Sequence, residues 1–112
     1  MNNKKYTELV KNYINDKGWG SAHYKVCKEI RRLNNINKTL YDKALNNEID
    51  YCDDYEPICE ELYTKKAFLE RIKKYFHQKS QEKEFENKYN TEYFFENLKQ
   101  EDAKIIFRAL TR

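Results

Sequence analysis

The chain has 112 residues, enough for one domain, 1–112, and not for two. Charged residues make up 37%. Phe, Ile, Leu and Val together number 24, about 21%, just above the level at which a highly charged chain ceases to fold. Ten Tyr and one Trp add apolar area, since an aromatic ring buries well while its polar tip stays wet. No apolar run approaches a membrane span, and none follows the basic start Met1 to Lys5, so transmembrane and signal-secreted readings are set aside. Two Gly and one Pro leave almost no turn chemistry for hairpins.

The elements read as helices almost throughout. Tyr6, Leu9, Val10, Tyr13 and Ile14 form one stripe of an amphipathic helix over 4–15, with Asn3 as its cap and Gly18 as its left-handed stop. Gly18-Trp19-Gly20 reads as a turn with Trp19 plugging the bundle end, and Ser21 caps the next helix. Val26, Ile30, Leu33, Leu40 and Ala44 fit one seam, which predicts a helix over 22–46 with a kink or break near 35–38, where Asn residues cluster.

Asn46 to Glu56 reads as the main loop, with Pro57 at the first position of a helix over 57–79. Ile58, Leu62, Leu69, Ile72 and Phe76 give its face. A weaker helix is expected within 80–90, another over 92–98 capped by Thr91, and a last one over 100–111. Sustained period-two alternation is absent. The expected fold is all-α: a compact, single-domain bundle of four to five helices with antiparallel neighbours.

The net charge of +3 hides segregation by block. Residues 1–43 are strongly basic. Residues 44–64 hold Glu48, Asp50, Asp53, Asp54, Glu56, Glu60 and Glu61 with no Lys or Arg, and residues 65–79 are basic again. The acidic block also carries Tyr51, Tyr55 and Tyr63. Carboxylates interleaved with aromatics imitate a phosphate backbone with its bases, and suit a basic groove on another protein. The plainer account is that acids at a helix start complement its dipole and solvate a loop. A second binding option is nucleic acid, held by Lys25, Lys28, Arg31 and Arg32 or by Lys65, Lys66, Arg71, Lys73 and Lys74. The first two helices then suggest a helix-turn-helix, although Asp16 to Ser21 is longer than its usual turn.

Catalytic and metal motifs are not found. Counting a calcium loop from Asp50 puts Cys52 and Tyr55 at positions that need an acid and a Gly. Cys52 and Cys59 with His23 and His77 have no zinc spacing, and Gly18-Trp19-Gly20 lacks the Lys-Ser/Thr of a phosphate loop. No nucleophile with a base and an orienting partner can be assembled. No enzyme, no cofactor and no metal is therefore expected. Three Cys, an odd number, point to a reduced intracellular protein.

The segment Glu29-Ile30-Arg31-Arg32-Leu33 through Leu40 and Ala44, the Asn46-Asn47 turn and the Lys/Arg-rich stretch 65–79 resemble the small helical proteins encoded by phages and mobile elements of low-GC bacteria. The resemblance covers about half the chain, and the Lys-, Asn-, Ile- and Tyr-rich composition is that of an AT-rich coding genome. Many such proteins are anti-defence factors, anti-CRISPR proteins among them. The resemblance implies a non-enzymatic inhibitor in the cytoplasm of a bacterial host, acting on a host protein or ribonucleoprotein complex. The acidic block would be its contact, with Trp19 or Tyr93, Phe94 and Phe95 as anchors. A self-associating helix bundle is the third class.

Overall fold

The computed structural model describes residues 4–81 and 92–112. They form four long helices: α1 (Lys5–Lys17), α2 (Trp19–Leu45), α3 (Glu56–Gln81) and α4 (Gln100–Leu110). Residues 92–96 add a helical turn before α4, and no strand occurs among the described residues. The fold class is all-α, as expected. The readings on Asn3, on Thr91 and on a helix within 80–90 fall, wholly or largely, outside the described residues.

α1 ends at Gly18, whose N–H bonds the Ile14 carbonyl at 2.8 Å. Gly18 sits at φ 90°, ψ 165°, a backbone that an L side chain rarely adopts, and this one residue makes the whole connection into α2. Trp19, Gly20 and Ser21 are therefore the first turn of α2 and not a turn between helices. Ser21 does not cap. Its hydroxyl meets the Tyr13 hydroxyl at 2.8 Å. A one-residue connection also excludes the helix-turn-helix reading, which needs three or four residues between its helices.

α2 runs unbroken for 27 residues. Within the Asn cluster, the Asn37 side chain accepts a hydrogen bond from the Tyr55 hydroxyl at 2.9 Å, and the Thr39 hydroxyl bonds back to the Asn35 backbone carbonyl at 2.9 Å. α2 stops in a Schellman arrangement: Asn47 N–H bonds Ala44 O at 3.2 Å and Glu48 N–H bonds Lys43 O at 2.9 Å, with Asn47 left-handed at φ 61°.

The core gathers Val10 and Ile14 of α1, Val26, Ile30 and Leu33 of α2, Leu69, Ile72 and Phe76 of α3, Phe95, and Ile106 and Leu110 of α4. Trp19 packs on it against Phe76 (ring centroids 5.4 Å), Tyr75 and Phe95, the bundle-end plug expected of it. Beyond Leu33 in α2 and before Leu69 in α3, the two helices bury only Ala44 between them. They half-bury each other and project as a helical hairpin, an arm about 18 Å long from Leu33 to Leu45. The described chain measures 54 × 34 × 19 Å accordingly.

Candidate functional site

The acidic block forms the tip of this arm. After Asn47 the chain crosses residues 48–50 and enters a single π-helical turn, Tyr51–Tyr55, that runs straight into α3. Its defining bonds are Tyr55 N–H to Asp50 O at 3.0 Å and Glu56 N–H to Tyr51 O. Two carboxylates brace it. Asp50 accepts from Asp53 N–H at 2.7 Å, and Asp54 accepts from Asp50 N–H at 2.9 Å. The plainer reading of acids at a helix start thus holds for Asp50 and Asp54.

Asp53 and Glu56 also lie in the first turns of the π turn and of α3, where they complement the helix dipole without a hydrogen bond. Glu48, Asp53, Glu56, Glu60 and Glu61 are all exposed. Glu61 pairs with Lys65 at 3.3 Å within α3, an i, i+4 contact of the weak surface kind. The side chains of Glu48, Asp53, Glu56 and Glu60 take part in no hydrogen bond or ion pair among the described residues. Apart from Lys65 on Glu61, no Lys or Arg among the described residues pairs with an acid of the block.

The tyrosines divide. Tyr51 and Tyr63 are 45% and 71% exposed. Tyr55, expected on the binding face, is buried, because the π turn folds it inward to reach Asn37 across the arm. Hydrogen bonding with the adjoining Cys59 thiol, and then burial, push the Tyr55 phenol up to about 12. It stays a donor throughout the neutral range. Tyr55 also packs its ring, tilted, against Tyr51 (5.2 Å) and Tyr41 (5.7 Å), so it is the keystone of an aromatic tip and not a contact. Beside it Glu48, Asp50, Tyr51 and Asp54 line an open hollow of about 450 Å³. Of the anchors expected elsewhere, Trp19 and Phe94 are half-buried and Phe95 is buried; only Tyr93 is exposed.

The basic residues do not act as one surface. On α3, Lys65, Lys66, Arg71, Lys73 and Lys74 spread over about 240° of the helix circumference. Lys65 is held by Glu61 and Lys73 by Glu70 at 3.8 Å, while Arg71 lies over the Phe68 ring. On α2, Lys25, Lys28, Arg31 and Arg32 fall within about 120°, with Tyr24 and Asn35 among them. Together with Arg112 they line a cleft of about 510 Å³ against the end of α4. The cleft has a buried brace. Glu29, whose side chain is 8% exposed, accepts from Arg32 Nε at 2.7 Å, Arg32 Nη2 at 3.1 Å and Arg112 Nε at 3.0 Å. Lys25 Nζ donates to the Arg112 carbonyl at 3.1 Å.

One cluster went unread in the sequence. The His23 and His77 rings adjoin, tilted at 44° with centroids 5.1 Å apart, and Cys27 Sγ lies 3.6 Å from His23 Nε2. The signal was the antiparallel pairing of the two long seams: His23 precedes Val26 by one turn, and His77 follows Phe76. No group of three or more His, Cys, Asp or Glu with metal-holding geometry occurs among the described residues. No helix of the described residues is long and apolar enough to cross a membrane. Compared with known proteins, the chain matches no family model, no curated sequence and no solved structure.

Proposed function

We propose that this is a non-enzymatic binding protein that presents the acidic tip of its arm to a basic, nucleic-acid-handling partner and blocks it, as phage and mobile-element inhibitors of the anti-CRISPR kind do. One observation carries the reading: Glu48, Asp53, Glu56 and Glu60 are exposed and, among the described residues, unpaired on a projecting tip with Tyr51 and Tyr63 beside them. An array of fixed negative charge with aromatic faces suits a groove built for phosphates and bases. The π turn supports it further, since such turns are uncommon in helices and recur at functional positions. The partner would be a protein or ribonucleoprotein in a bacterial cytoplasm.

The test is affinity capture from a low-GC bacterial lysate with the wild type and with a Glu48→Lys, Asp53→Lys, Glu56→Lys triple variant. These three are chosen because Asp50 and Asp54 hold the turn together. The wild type retains a nucleic-acid-handling partner that added RNA or DNA displaces, and the triple variant, unchanged in helicity by circular dichroism, retains none. Equal capture by both chains removes the tip as the contact.

A further inference from the structure

The cleft between α2 and the end of α4 shares no lining residue with the acidic tip. Five basic side chains line it against one carboxylate. That carboxylate, Glu29, is buried and committed to Arg32 and Arg112, so it fixes two guanidiniums in place more than it cancels the cleft's field. Lys28 and Arg31 are exposed, and no hydrogen bond or ion pair holds either among the described residues. A bidentate guanidinium fork and point-charged ammonium groups on one concave face are the chemistry of phosphate recognition.

An aromatic decides which phosphate. Tyr24 is 57% exposed within the same face, with Lys28 Nζ 5.7 Å from its ring centre. An exposed ring set among cations is a platform for an unpaired base; a duplex offers no base face to it. The lining face from Tyr24 to Asn35 extends roughly 16 Å along α2, room for a short run of sugar-phosphate backbone. We infer that this cleft binds single-stranded nucleic acid, with Lys28, Arg31 and the Glu29-braced guanidiniums on phosphates and Tyr24 under a base.

By sequence the α2 and α3 cations stand as equals. The test separates them. Fluorescence anisotropy of the full chain with a labelled oligothymidylate of about a dozen nucleotides should give binding that weakens with salt at a log–log slope of about −2 to −3. A Lys28→Glu, Arg31→Glu double variant should bind at least about tenfold more weakly and with a shallower slope. Lys65→Glu with Lys74→Glu, the same change of net charge placed on α3, should stay within about twofold. Tyr24→Ala should lose several-fold at every salt concentration. Absence of binding at low salt overturns the inference. So does equal loss in the two charge-matched doubles, tighter binding of a duplex of the same length, or equal binding of a polyglutamate peptide.

Discussion

At the scale of single residues, polar groups that sit in the core decide where the fold is weak. Thr7 is 2% exposed and its hydroxyl has no hydrogen-bond partner among the described residues. Thr7→Val keeps the shape and removes the unsatisfied group, so it should raise stability by about 1 kcal/mol in urea unfolding. A loss would mean that the hydroxyl does bond. His23, half-buried beside His77, is a second weak place. Burial first, then the neighbouring His77 and Lys73, hold its pKa below 6.5. Above pH 6.5 His23 is neutral folded or unfolded and costs nothing. Below it the unfolded chain takes the proton first, so stability falls as the pH drops toward the depressed folded value. Urea unfolding at pH 7.5 and at pH 5.5 should show that drop, and His23→Gln should reduce it; an equal drop in the variant would place the acid sensitivity elsewhere.

At the scale of elements, single backbone positions punctuate a chain almost devoid of Gly and Pro. Gly18 separates α1 from α2, and Asn47 ends α2 in the left-handed region that Asn tolerates and Ala does not. Asn47→Ala should cost about 1 kcal/mol, roughly a 4 °C fall in Tm, while Asn47→Gly should cost nothing. Thermal melts of the two variants check this, and equal melting would deny the Schellman stop its part. The helices themselves were legible because Val26, Ile30 and Leu33, or Leu69, Ile72 and Phe76, repeat at helical spacing. The boundaries that went astray depend on contacts distant in sequence. The kink expected at 35–38 is absent because Asn37 serves Tyr55, 18 residues on. Trp19 to Ser21 joined α2 because one Gly sufficed for the connection. Tyr55 looked like a surface residue because nothing local shows that the π turn points it inward.

At the scale of the whole molecule, the charge blocks of the sequence become places. A core barely large enough to fold leaves the far ends of α2 and α3 as an arm. The radius of gyration is 16.4 Å, against about 13 Å for a compact domain of this length. The acids occupy the arm's tip, and the α2 cations lie about 20–30 Å back along the same helix. The acidic block could be read from composition, but its sorting into braces and free charges could not, since that depends on the hydrogen bonds of Asp50 and Asp54. Arg112 was equally illegible: it meets Glu29 across 83 residues.

The most direct measurement is the affinity of the captured partner for the purified chain, by calorimetry, across a range of salt. The docking-tip account predicts that lysines at 48, 53 and 56 weaken binding by about a hundredfold or more and flatten its salt dependence. The same affinity and the same salt dependence in that variant would contradict it.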